Sequence, residues 1–241
     1  MLMRMGDTEV APLFARTQGT GRWCADDGII DPAELLTAYL EGQAILYDTE
    51  VIGWQRVGDR VRIETQRGEI FCRLVVNAAG PWAGELGGLP LRTMNRHLFV
   101  TTPLDWVQPY WPTVWDGPNG LYFRPESGGL LLCCCEEIPA TPGDYREELD
   151  MLADLHEKVR TMQPGLGELC IKSQWVGQRV FAPDRKFVIG FDPRDDRLFH
   201  VAGLGGHGVT GSYAIGRLAS GLLLGGTAPD AESFAPRRLP L

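Results

Sequence analysis

"RLFHVAGLGGHGVTGSYAIGRLASGLLLGG", residues 197–226, is the stretch on which the fold turns. An apolar run ending near Ala202 leads through Gly203, Gly205, Gly206 and Gly208 into a segment with helical spacing of its apolar residues. Gly203, Gly205 and Gly208 have the spacing G-x-G-x-x-G of a dinucleotide-binding turn. That fingerprint also needs a second parallel strand with an acidic residue about 20 positions on. Asp230 lies at a suitable distance, but "GGTAPDAESFAPRR" around it is not a strand, so the motif fails in context. Two readings of the loop stay open. The glycines allow only a tight strand-to-helix turn with close packing. Alternatively, they present free backbone N–H groups and the positive end of a helix dipole to a flat ligand in front of them.

With 241 residues, 44% of them hydrophobic, the chain can bury a real core as one large domain or two small ones. A formal charge of -8 gives no electrostatic footprint for a phosphate backbone, which argues against nucleic acid as a partner. The apolar stretches are too short and too glycine-rich for a transmembrane segment, and "MLMRMGDTEV" lacks the order of a signal peptide, so a cytoplasmic location is expected. Cysteines at 24, 72, 133, 134, 135 and 170 form no C-x-x-C pair, and the four histidines are scattered. Neither a metal site nor disulfides are expected. The run Cys133-Cys134-Cys135 reads as small buried residues alternating across a strand.

Upstream, "DDGIIDPAELLTAYLEG" predicts a helix with Asp31 as N-cap and Pro32 at the first helical position. Three β-rich runs follow, "QAILYDTEVIGWQR", "DRVRIETQRG" and "EIFCRLVVNAAG", with turns at Gly58-Asp59 and Arg67-Gly68. In the second, Val61, Ile63 and Thr65 share one face. The third ends in an unbroken apolar run, as a buried strand does. The middle section, from "RHLFVTTPL" to "GLYFRPESGGLLLCCCEE", reads as antiparallel sheet. "PGDYREELDMLADLHEKVRTMQPGLG" predicts an amphipathic helix with Leu149, Leu152, Leu155 and Val159 on one stripe, stopping before Pro164. Strands at "CIKSQWVGQRVF", "KFVIGF" and "LFHVAG" and a last helix at "VTGSYAIGRLASGLLLG" complete the chain.

Five stretches occur in a fixed order: "DDGIIDPAELLTAYL", "VVNAAGPWAGEL", "LYFRPESGGLLL", "WVGQRVFAPDRKFVIG" and "HVAGLGGHGVTGSYAIGRLASGLLLGG". Together they resemble the D-amino-acid oxidase superfamily of FAD-dependent oxidoreductases over residues 20 to 227, above all the branch with glycine oxidase, sarcosine oxidase and D-amino-acid dehydrogenase. The resemblance implies a fold between α/β and α+β. Residues 1–90 and 170–241 would be the remainder of a truncated FAD-binding domain, and 91–169 a mixed antiparallel substrate-binding sheet. It also implies oxidation of the C–N bond of an amino acid or secondary amine, with hydride passing to flavin.

Residue by residue, the resemblance places Ala78, Ala79, Gly80 and Trp82 where the family closes over FAD, and Val51 where a strand backbone touches adenine. Gly205, Gly206, His207, Gly208, Val209 and Thr210 fall where the family's last glycine loop meets the flavin ring, with His207 either a donor to flavin or a turn residue. Arg179 occupies the position that pairs with the substrate carboxylate, a task suited to a planar guanidinium fork. Tyr122 and Arg124 lie on a strand that faces the substrate cavity in relatives, and alternation gives them one side. Gly177 stands where some relatives tether FAD through cysteine, implying non-covalent FAD. No residue stands out as a catalytic base, and a neutral amine can lose hydride without one.

Relatives begin with a nucleotide-binding strand, glycine turn and helix, whereas no such fingerprint precedes Asp31. Three readings follow. The chain is a flavoenzyme whose nucleotide half is supplied by a partner chain or homo-oligomer or is missing from this sequence; it is a non-catalytic homologue or partner subunit; or it is a stand-alone protein whose glycine loop serves some other anion. Without the central parallel strands, apolar sheet edges need cover.

Overall fold

The computed structural model describes residues 2–4, 20–22, 24, 26, 28–148 and 150–241. The chain divides into two compact units, one of Met1–Ile29, Asn95–Pro139 and Asp144–Gln178, the other of Ile30–Met94, Ala140–Gly143 and Arg179–Leu241. In chain order the strands are β1 (Leu2–Arg4), β2 (Thr20–Arg22), β3 (Val51–Val57), β4 (Arg60–Thr65), β5 (Gly68–Cys72), β6 (Val75–Asn77) and β7 (Arg92–Thr101). They continue with β8 (Val114–Asp116), β9 (Leu121–Glu126), β10 (Gly129–Cys133), β11 (Ile138–Ala140), β12 (Ile171–Phe181), β13 (Val188–Asp192) and β14 (Asp195–Ala202). The helices are α1 (Pro32–Leu40), α2 (Ala83–Gly87), α3 (Met151–Met162), α4 (Ser212–Leu223) and α5 (Ala231–Phe234).

The first unit is built on a sheet of order β11-β7-β10-β9-β8, with β12 also on β7. Its core follows from alternation. On β9, Leu121, Phe123 and Pro125 are buried while Tyr122, Arg124 and Glu126 are half-exposed. Phe99, Phe123, Leu130 and Leu132 meet Leu155 and Val159 of α3, an i, i+4 pair on the face the helix turns inward. The helix ends before Pro164 as expected, but the stripe is narrower than its sequence suggests. Leu152 is 36% exposed because it stands one position round from the line of partly buried Met151 and buried Leu155 and Val159, and Leu149 lies outside the described residues. The cysteine run departs from strict alternation too: β10 stops at Cys133, and both Cys133 and Cys134 are buried. Cys135 turns out of the strand with φ of 55°.

In the second unit, α1 starts as its sequence dictates. Asp31 Oδ1 accepts from the N–H groups of Ala33 (2.8 Å) and Glu34 (3.2 Å), with Pro32 following the cap. β3, β4 and β5 form an antiparallel meander, and β13, β14 and β6 a second sheet in which only β14 and β6 run parallel. Val61 of the meander packs on Val75 and Leu198 of the second sheet. α4 lays Ile215 and Ala219 on Ile189 and Phe199. The apolar run of β6 is not buried on both faces: Val75 is covered, but Val76 is 45% exposed, because β6 is the edge strand and one face of it is bare. α1 likewise buries none of its residues and exposes Leu36 and Tyr39. No helix among the described residues is long and apolar enough to cross a membrane.

The α3 face gives a direct stability test. Leu155→Ala removes a side chain with no exposed area and is expected to cost about 2–5 kcal/mol in urea unfolding. Leu152→Ala, on the same helix but partly exposed, is expected to cost well under half as much.

Candidate functional site

Because β6 and β14 are parallel neighbours, with Asn77 opposite His200, both chains leave the sheet at the same edge. The carboxyl ends of parallel strands are where open α/β sheets receive ligands. Two glycine turns emerge there, Ala78–Gly80 after β6 and 203–211 after β14. The second is pinned to the end of β12 by a Leu204–Phe181 bridge and by a hydrogen bond from the Gly205 N–H to the Val180 carbonyl (2.9 Å). Gly203, Gly205 and Gly206 have φ of 65°, 55° and 87°, which side-chain-bearing residues adopt only with strain. At Gly206 a Cβ would sit 2.7 Å from Nε of Arg179, so a side chain there would push the arginine aside.

The loop's own hydrogen bonds leave a pattern. His207 N–H donates to Leu204, Gly211 N–H to His207 and Ser212 N–H to Val209. Among the described residues, the N–H groups of Gly206, Gly208, Val209 and Thr210 meet no acceptor. They precede α4, whose dipole adds positive potential at this end. Arg179, half-buried, lies against Gly206, and among the described residues no carboxylate pairs with it. One exposed loop thus gathers four free N–H donors, a glycine gap and an unpaired guanidinium. It is fitted to a flat ligand with an electron-rich edge and to an anion beside it.

The other sequence candidates fall into place unit by unit. Gly80, with φ of 55° and nothing within 4 Å of its missing Cβ, opens the first turn to ligand approach. Trp82, 43% exposed, follows it, its ring close to Gly143. Val51 opens β3, half-buried opposite Thr65. His207 holds the turn through its backbone, and its ring tilts against Phe187 at 6.2 Å between centroids. In the first unit, Tyr122 and Arg124 share a face of β9 as alternation requires. Arg124 is engaged internally, paired with Glu126 at 2.8 Å and bonded to the Pro125 carbonyl at 3.0 Å.

Reading the motifs did not find a buried polar cluster beneath the first turn. His200 Nε2 lies 2.9 Å from Asp192 Oδ2, and Asn77 Nδ2 lies 3.4 Å from His200 Nδ1 and 2.9 Å from the Ala83 carbonyl. Asn77 Oδ1 accepts from the Ala79 N–H at 3.3 Å. Arg194 clamps Asp192 from outside through Nε (2.9 Å), Nη2 (2.6 Å) and its backbone N–H (2.7 Å). Gly87 seals the cluster, for a Cβ there would fall 2.6 Å from Asn77 Nδ2 and 2.7 Å from His200 Cε1. Burial pushes the Asp192 carboxyl up, but hydrogen bonds from Arg194 and His200 outweigh it and hold the carboxyl well below the usual range. Burial pulls the His200 pKa down, against the opposing pull of Asp192. The signal was available: a His, an Asn and an Asp inside otherwise apolar strand runs require partners.

The sequence profile of the DAO family, described as FAD dependent oxidoreductase, matches residues 3–222. The chain belongs to this family. Within it, the chain is 27% identical over 217 residues to glycine oxidase of Bacillus subtilis (strain 168), covering 83% of this chain and 55% of that protein. It is 30% identical over 171 residues to the mitochondrial pyruvate dehydrogenase phosphatase regulatory subunit of Mus musculus, covering 64% of this chain and 20% of that one. L-proline dehydrogenase from P. horikoshii superposes with a TM-score of 0.88 at 24% identity, covering 99% of this chain and 68% of that one. Glycine oxidase from Geobacillus kaustophilus does so with a TM-score of 0.81 at 23% identity, covering 95% and 64%. The chain spans a fifth to about half the length of these curated relatives. The mixed α/β fold is that of the family, and membership ties the chain to FAD.

The cluster under the first turn has a pH signature. Asp192 titrates below the unfolded carboxylate value of about 3.9, so its ionised form contributes stability above that value and loses it as pH falls through the folded pKa. Asp192→Asn is expected to cost about 1.5–3 kcal/mol at neutral pH. Urea unfolding across pH should show the deficit shrinking below pH of about 3.9.

Proposed function

We propose that this chain forms the flavin-ring and substrate side of an oxidoreductase that oxidises the C–N bond of an amino acid or secondary amine. One observation carries the reading: the free N–H groups of Gly206, Gly208, Val209 and Thr210 stand beside the unpaired guanidinium of Arg179. Bound FAD would supply a two-electron acceptor for the substrate's α-hydride, so that the amine becomes an imine and water hydrolyses it. Arg179 holds the substrate carboxylate by paired charge-assisted hydrogen bonds and so fixes the α-carbon. The loop N–H groups and the start of α4 stabilise negative charge as it develops on the ring edge they face, and they need no reorganisation to do so. The Ala78–Gly80 turn and Trp82 would border the cofactor, and Val51 would hold its adenine end. Tyr122 and Arg124 are the first unit's candidates for substrate contact, and with Arg124 held by Glu126 the carboxylate role is assigned to Arg179. Gly177, where some relatives tether FAD through cysteine, supports a non-covalently held FAD.

The second reading, a non-catalytic homologue or partner subunit, draws on the second unit's bare apolar surface. Val76 of edge strand β6 and Leu36 and Tyr39 of α1 are exposed. In both readings a further chain segment, from this polypeptide or another, covers that surface and completes the nucleotide site.

Flavin absorbance of the purified chain, with and without added FAD, separates the two. Bound flavin and turnover of glycine-like or N-substituted amino acids are expected of the enzyme. A colourless chain that takes up no FAD and shows no thermal shift with it rules out independent catalysis. In an active preparation, Arg179→Ala is expected to raise KM for amino-acid substrates by roughly tenfold or more, with a smaller effect from Arg179→Lys. An unchanged KM would remove Arg179 from the carboxylate role.

A further inference from the structure

Hydrogen-bond directions in the buried cluster can be followed atom by atom. The ionised Asp192 carboxylate can only accept, so His200 Nε2 carries the proton and donates it to Oδ2. In neutral His200 the lone pair then lies on Nδ1, facing an N–H of Asn77. The second N–H of that amide goes to the Ala83 carbonyl. Both amide protons are thereby assigned, and Oδ1 is left facing the Ala79 N–H.

We infer that Asn77 is a positioning residue for the Ala78–Gly80 turn, locked in one amide orientation by a neutral His200 that donates to the Asp192 carboxylate. The inference rests on the reading of that turn as cofactor-facing. Protonation of His200 would set an Nδ1–H against the Asn77 N–H, donor to donor. Relief requires the amide to turn over, which brings its oxygen against the Ala83 carbonyl and takes the acceptor from the Ala79 N–H. Two charged groups face His200: Asp192 on β13 favours the imidazolium, and Arg194 in the β13–β14 turn opposes it. Asn77 from β6 and Gly87 from α2 complete the surroundings without charge. With Arg194 neutralising Asp192 and burial acting on the ring, the imidazole stays neutral at neutral pH and charges only below its ordinary value of about 6.5.

The test follows the Ala79 amide resonance of the isotope-labelled full chain against pH, beside the His200 ring proton. The Ala79 amide is expected to move with the His200 titration, at a midpoint below about 6.5. In His200→Gln, which keeps a donor toward Asp192 but takes no proton, that movement is lost. In Asn77→Ala, the Ala79 amide resonates at its unbonded position at every pH. In parallel, FAD affinity measured by flavin fluorescence is expected to fall roughly tenfold across the same interval, the worth of about one hydrogen bond, and to stay flat in His200→Gln. An Ala79 amide that ignores the His200 titration, or a His200 that stays neutral until the chain unfolds, overturns the inference even without any variant. So does FAD affinity that is the same on both sides of the titration. If Ala79 tracks His200 but the chain takes up no FAD at any pH, the Asn77 assignment stands and the cofactor reading of the turn fails.

Discussion

The parallel pairing of β6 with β14 is the constraint from which the functional surface of the second unit follows. It sends two glycine turns out of one sheet edge, and it sets Asn77 opposite His200, deep enough that neither side chain reaches water. A parallel pair leaves no strand free to cap those polar groups, so they satisfy one another and draw in Asp192 from β13 and the carbonyl of Ala83. Only Arg194, at the rim, stays partly wet, and it closes the chain of bonds with a charge. Half-satisfied, such a cluster would destabilise the core. Fully bonded, it gives the turn above it one geometry.

Much of this was legible in residues. Asp31 and Pro32 announced α1, because capping is a local contest between side chain and solvent for the first free N–H groups. Alternation assigned the faces of β4 and β9, since a strand's period survives any tertiary context. The glycine loop's spacing suggested a pyrophosphate cradle, and its surroundings, with no second strand, removed that reading; the flat ring edge came from the family resemblance instead. The four N–H groups without acceptor among the described residues and the nearby guanidinium are what the proposed role of the loop rests on.

What escaped depended on neighbours far along the chain. Val76 is apolar in an apolar run, yet its exposure depends on whether another strand lies beside β6, and no local pattern carries that. Leu152 sits one step off the buried line of α3, a shift set by which residues of the sheet the helix meets. Arg124 and Arg179 look alike in sequence. Glu126 sits two residues from Arg124 on the same face and occupies it, while Arg179 lies against a glycine and meets no carboxylate among the described residues. The Asn77–His200–Asp192 cluster joins residues more than a hundred positions apart, so the apolar runs say that each polar side chain needs a partner and only the sheet register says which.

Gly87 gives that cluster a history as well as a shape. Its missing Cβ is the space in which Asn77 and His200 touch, so the position is closed to every other amino acid while those two side chains remain. A lineage that replaced both Asn77 and His200 with something smaller would reopen Gly87 to substitution, and one that first gained a side chain at 87 would have to displace the amide and the imidazole alike. Three positions scattered along the gene are therefore expected to drift together or not at all.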